Sequence, residues 1–108
     1  MSNEQIAFRM QLKPGCEAEY ERRHANLWPE LEDALDQAGI YDYSIFLDRQ
    51  TLVLFAVLRL RSNHQRDSLP LNPVMQRWWR HMSELMVVQE DFRPAEWPLE
   101  RVFRFRGT

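Results

Sequence analysis

Residues 41–60, YDYSIFLDRQTLVLFAVLRL, read as two strands and the turn between them. Tyr41, Tyr43, Ile45 and Leu47 alternate with polar neighbours, the period of a strand with one buried face. Asp48-Arg49-Gln50-Thr51 supplies the turn. The second arm, residues 52–60, is apolar on both faces until Arg59, as a strand in the middle of a sheet is. Upstream, Ile6, Phe8, Met10 and Leu12 alternate with Ala7, Arg9 and Gln11, and Lys13-Pro14-Gly15 ends that strand. Far downstream, beyond a loop containing Pro94 and Pro98, residues 102–106 read as a last strand.

Helical segments fill the gaps. Between the first two strands, Tyr20, His24, Leu27, Leu31, Leu35 and Ala38 recur in steps of three and four, one stripe of a helix over about residues 17–38. Pro29 interrupts it, because a helical proline loses a donor and clashes with the carbonyl of Ala25. The spacing predicts a break around Ala25, a restart with Asn26 as cap, and Gly39 at the final C-terminus. After the hairpin, Ser62-Asn63-His64-Gln65 has capping-box spacing for a short helix stopped by Pro70. Asn72-Pro73 opens another that runs to about Met86, with Val74, Trp78, Met82 and Leu85 on its apolar face and Met75, Trp79 and Met86 beside them.

The order is β-α-β-β-α-β, an α+β, ferredoxin-like arrangement with both helical layers on one face of an antiparallel sheet. The other face would carry Ala7, Arg9, Ser44, Phe46, Val53, Phe55 and Val57, too apolar to leave in water. Packing against a second copy is the simplest remedy, so the sequence predicts a homodimer, a dimeric α+β barrel.

A length of 108 residues suits one domain, 1–108, and 44% apolar residues give it a core. A formal charge of −2 attracts neither nucleic acid nor a membrane surface. No stretch approaches the ~20 apolar residues of a bilayer span. The start, MSNEQ, lacks an export pattern, and the lone Cys16 permits no internal disulfide, so a cytoplasmic location is expected.

The chemistry centres on the first helix. Tyr20 and His24 lie one turn apart on a face that otherwise carries only apolar side chains. Either His24 is a core histidine satisfied by a carbonyl, or it is an acid–base group. The carbonyl-rich helix end favours its charged form and burial opposes it. Trp78 and Trp79 point about 100° apart, so one can enter the core while the other edges a cavity. Glu21 and His24 have the Glu-x-x-His spacing of di-iron bundles, but no matching pair exists around His64 or His81. Three glycines leave no phosphate loop and no Gly-x-Ser-x-Gly elbow.

Several ordered blocks are similar to one family. Tyr20-Glu21-Arg22-Arg23-His24, Trp28-Pro29-Glu30-Leu31-Glu32, Gly39 with Tyr43-Ser44-Ile45-Phe46-Leu47-Asp48, and Gln76-Arg77-Trp78-Trp79 resemble the L-rhamnose mutarotases across residues 7–86, with a weaker echo at Glu100 to Phe103. The resemblance implies a dimeric ferredoxin-like fold and a small-molecule sugar as substrate. It implies that His24 is the proton donor and that Tyr20, Tyr43, Trp78 and Trp79 contact the sugar. It implies ring opening to the free aldehyde, with one proton delivered to the ring oxygen and one taken from the anomeric hydroxyl by a tyrosine or a water. No metal, nucleotide or flavin is needed. Arg59 stands where the family commonly has an acid, and residues 68–71 and 87–98 and the basic C-terminus depart from its pattern. Those departures bear on sugar preference, L-rhamnose or another 6-deoxy sugar such as L-fucose. Two other classes fit the scaffold: a dimeric-barrel monooxygenase and a non-catalytic ligand-binding module.

Overall fold

The computed structural model describes residues 3–108, so Met1 and Ser2, the first residues of the start that lacks an export pattern, lie outside it. The elements run β1 (Glu4–Gln11), α1 (Glu17–Ala25), α2 (Pro29–Gln37), β2 (Ile40–Asp48), β3 (Val53–Leu60), a 3-10 turn (Arg66–Leu71), α3 (Pro73–Met82), a second 3-10 turn (Ser83–Leu85) and β4 (Trp97–Leu99). The strands form one antiparallel sheet in the order β2-β3-β1-β4. This is the ferredoxin-like α+β fold that the element order predicts.

Alternation in the strands decides which side chains meet the helices. Phe8 stands opposite Ala56, Met10 opposite Leu54, and Ile45 and Leu47 take the same two partners from the other side. Phe8, Met10, Leu54, Ala56 and Leu58 are buried on this inner face against Leu31, Met75, Trp78 and Met82. The intervening residues form the outer face, where Arg9, Phe55 and Phe46 lie in one row and Ala7, Val57 and Ser44 in the next. Phe46 is 61% exposed there.

The helix break falls where Pro29 requires it, but its caps differ from expectation. Trp28, not Asn26, is the N-cap of α2, at φ −65° and ψ 132°. A residue before proline is driven into this extended region, which is the backbone an N-cap needs, so Trp28 serves without a side-chain acceptor. Asn26 instead closes α1, donating from Nδ2 to the carbonyl of Arg22 at 2.9 Å. At the far end of α2, Gly39 turns the chain at φ +95° with no room beside it, since a Cβ there would lie 2.7 Å from Cβ of His64.

Three further expectations are corrected. Tyr41 does not share a face with Tyr43, because a bulge between Ile40 and Asp42 inserts it as an extra residue and leaves it exposed. Ser62 caps nothing: Asn63 turns the chain at φ 66°, the 3-10 turn starts only at Arg66, and Pro70 lies inside it. The last strand is not residues 102–106 but Trp97–Leu99, on the open edge of β1, where Pro98 without its N–H is tolerated. Residues 100–108 have no regular structure, and Val102, Phe103 and Phe105 stand 78–88% exposed. Asn72 does cap α3, its Oδ1 accepting from the amides of Val74 and Met75. That helix ends at Met82 and is continued to Leu85 by the second 3-10 turn.

Candidate active site

His24 is the last-turn residue of α1, and its ring nitrogen Nδ1 lies 3.0 Å from the carbonyl oxygen of Tyr20. A carbonyl only accepts, so Nδ1 carries a proton and Nε2 is the nitrogen left for other work. Packing fixes the ring in this pose. The Tyr20 ring lies 4.5 Å from it, centre to centre, and Trp78 meets it edge-on at 5.5 Å. Trp78 is in turn held edge-on by Trp28 at 5.1 Å, and His81 packs at a tilt against both indoles. Arg23 ties this end of α1 to the end of α3, donating to the carbonyl of His81 at 2.6 Å and to Glu84.

A cavity of about 670 Å³ opens beside these rings, between α1, α3 and the β2 side of the sheet. His24, Tyr20, Tyr43, Trp78 and Trp79 all line it. The two tryptophans divide as their angular separation suggests, Trp78 buried at 6% exposure and Trp79 only half-buried. The wall also includes charged side chains to which the sequence assigns no place in a sugar site: Glu17 and Glu21 of α1 and Arg49 of the β2–β3 turn. Nothing in the sequence pattern marks Trp28 as the support of Trp78. Glu17 and Glu21 stand three residues before Tyr20 and His24 respectively, so helical spacing carried a signal for both.

Burial decides the electrostatics of the three titratable groups. It lowers the pKa of His24 below its ordinary value, outweighing the bond from Nδ1 to Tyr20, which acts the other way. The imidazole is therefore neutral at neutral pH, with a basic Nε2. Burial also pushes the Tyr20 phenol up, helped by Tyr43. Tyr43 is pushed up to about 12 by burial, which outweighs the opposing pull of Arg66. The charges that act on the Tyr43 phenol belong to the Arg66–Glu96 pair, whose charged atoms lie 3.6 Å apart. Both tyrosines thus stay protonated, able to hold hydroxyl groups but not to act as resting bases. Among the described residues, no three His, Cys, Asp or Glu side chains gather to bind a metal. No helix is long and apolar enough to cross a membrane.

A polyol-sized hollow with an aromatic wall, two phenols and one neutral imidazole is the equipment of an enzyme that moves protons on a small sugar. The comparisons with known proteins make that class specific. Residues 5–105 match the family model of L-rhamnose mutarotase. An L-rhamnose mutarotase of Acidiphilium cryptum is 58% identical over 100 residues, covering 93% of this chain and 96% of that one. One from Jannaschia sp. is 54% identical with the same coverage. The crystal structure of an L-rhamnose mutarotase from Formosa agariphila superposes with a TM-score of 0.88 at 38% identity, over 95% of this chain and 99% of that one. The chain belongs to the L-rhamnose mutarotase family.

Proposed function

We propose that His24 carries the proton in the reaction of this family. The chain is an isomerase that interconverts the α and β anomers of L-rhamnose. Ring opening needs a proton removed from the anomeric hydroxyl and one delivered to the ring oxygen. Neutral Nε2 takes the first as the bond from C1 to the ring oxygen breaks, and the imidazolium then donates the same proton to the ring oxygen. Closing after rotation about C1–C2 runs these steps in reverse, so His24 ends each turnover neutral. Both sugar oxygens sit on C1, so one nitrogen reaches both. Assistance of this kind gives typically 10²–10⁴-fold.

The observation that supports the reading is the Nδ1 bond to Tyr20, which leaves Nε2 of a cavity-lining imidazole free to accept a proton. In this reading Tyr20 and Tyr43 hold sugar hydroxyls as neutral phenols. Trp79 packs on the C–H edge and methyl of the 6-deoxy ring, and Trp78 backs the imidazole. Saturation transfer between anomeric protons of L-rhamnose tests it. Exchange faster than in buffer is expected for the native protein, and His24→Ala should lower the enzymatic part at least 100-fold while far-UV and near-UV dichroism stay native. Undiminished exchange in that variant would remove His24 from the mechanism.

The same reading takes residues 1–108 as one catalytic domain acting in the cytoplasm as a homodimer. The dimer is supported by the outer sheet face. Phe46, Phe55, Trp97 and Leu99 are 37–61% exposed there, an apolar surface that a second copy would cover.

A further inference from the structure

One face of α1 is turned to the cavity. Glu17, Tyr20, Glu21 and His24 follow in steps of three, one and three, which places them in one stripe, and all four line the hollow. Other charged residues of the helix are satisfied away from it: Glu19 accepts from Arg22 and Arg23, and Arg23 reaches on to Glu84. Glu17 has a structural reason for its charge, since an acid in the first turn suits the helix dipole. Glu21 has none. It lies beyond the first turn and four residues from Glu17, a spacing at which like charges repel. Its carboxylate forms no ion pair among the described residues.

Arg49, from a different element, repeats the pattern. The β2–β3 turn is held by Asp48, which accepts from the amide of Gln50 at 2.9 Å, and by Gln11 of β1, whose side chain donates to the carbonyls of Thr51 and Leu52. None of these bonds uses the Arg49 side chain, which lines the cavity and forms no ion pair among the described residues. Gln11 also ties this turn to the end of the sheet from which α1 starts. A lone carboxylate and a lone guanidinium therefore border one hollow, both exposed at its mouth, without meeting. A carboxylate only accepts hydrogen bonds and a guanidinium only donates them. Two adjacent hydroxyls, each able to do both, are a neutral group that satisfies the pair at once.

We propose that Glu21 and Arg49 clamp two neighbouring hydroxyls of the sugar, O3 and one beside it, and so select L-rhamnose over L-fucose. This deepens the mutarotase reading of the cavity and rests on it. The placement follows from the ring. With His24 at C1 and the ring oxygen, and Trp79 at the methyl on C5, the edge left over runs through C2, C3 and C4. Of these, C3 is farthest from both. Glu21 stands about one helical turn from His24, or about 4.5 Å along the axis, a distance comparable to the width of a pyranose. L-rhamnose and L-fucose share their configuration at C3 and differ at C2 and at C4. A clamp on O3 and either neighbour thus fits the diol of one sugar and misses that of the other. Hydrogen bonds to charged groups are the strong ones, and a site built to hold a hydroxyl rejects an analogue without it. Neither residue reaches the reacting atoms: the pair binds and orients, and His24 moves the protons.

Two readouts test it. Saturation transfer at varied sugar concentration gives kcat and KM, and quenching of tryptophan fluorescence gives Kd, since Trp78 and Trp79 line the same cavity. Glu21→Ala and Arg49→Ala, both at exposed positions, should keep the native unfolding temperature. Each should raise KM and Kd for L-rhamnose at least tenfold, leave kcat within about twofold and narrow the preference over L-fucose. The native chain should bind the 3-deoxy analogue of L-rhamnose at least tenfold more weakly than the parent sugar. Against that analogue the alanine variants should lose little more, because the hydroxyl they held is gone. Glu21→Gln, which keeps an acceptor, should fall between native and Glu21→Ala. Unchanged KM and Kd in both alanine variants overturns the clamp. So does a loss of equal size for L-rhamnose and its 3-deoxy analogue, which would mark a general disturbance of the site. A native chain that binds L-rhamnose without speeding exchange overturns the mutarotase reading, while the Kd ratios still decide the clamp. One that does not bind the sugar overturns both.

Discussion

If a neutral His24 must begin each turnover, acid should silence the enzyme through that one group. Burial holds its pKa below 6.5, and the carbonyl of Tyr20 only partly restores it. Above the displaced pKa the imidazole is neutral and kcat/KM should be flat. Below it, each unit of pH removes about nine-tenths of the active form, since one pH unit is a tenfold change or about 1.36 kcal/mol. A log–log plot should therefore approach a slope of one on the acid side. On the alkaline side no loss should appear until the phenols ionise, with Tyr43 at about 12. The same group leaves a mark on stability, and the sign is fixed. An unfolded chain protonates its histidine near 6.5 and the folded chain at a lower pH, so the unfolded state binds more protons between the two. This contribution to stability is complete above 6.5 and is lost as pH falls through the folded value. Saturation transfer of anomeric protons, corrected for buffer-catalysed exchange at each pH, reads the first effect. Urea unfolding in the same buffers reads the second, and His24→Gln should flatten its histidine component. Enzymatic exchange that rises as pH falls from 7 to 5 would refute the argument, because it would mean that imidazolium starts the reaction.

Gly39→Ala should destabilise the fold by roughly 3 kcal/mol or more, combining a left-handed backbone worth about 1–2 kcal/mol with displacement of the His64 loop. Thermal unfolding checks it, and a midpoint unchanged from native would show that the loop yields freely. The two neighbouring indoles should separate by assay. Trp78→Ala removes a buried ring wedged between His24 and Trp28 and should lower stability by about 3–5 kcal/mol, whereas Trp79→Ala should leave unfolding nearly unchanged and raise KM for L-rhamnose about tenfold.

Much of this molecule is legible in its sequence because two periods dominate it. The alternation of Phe8, Met10 and Leu12 and the three–four stepping of Tyr20, Leu31 and Ala38 each mark a buried face, and a local pattern suffices to read them. Tyr41 misleads because a single inserted residue shifts the phase of a strand without altering its composition. Asn26 misleads because it has a good capping side chain, yet the backbone that Pro29 forces on Trp28 decides the cap. Residues 102–106 carry a strand pattern that nothing in their own chain answers. The place of Glu17, Glu21 and Arg49 in the wall is illegible for another reason: charged side chains on a helix or a turn usually face water, and only the third dimension shows that these border a hollow.

With about 670 Å³, the hollow leaves space around a bound pyranose if the sugar binds there as proposed. When a pyranose unlatches, it becomes for a moment an open-chain aldehyde, reactive toward any amine it meets. Room to swivel within the walls would let that carbonyl turn its other face and re-close before leaving. On the proposed reading the cavity would serve as a container as well as the place of proton transfer, and only closed rings would need to pass its mouth.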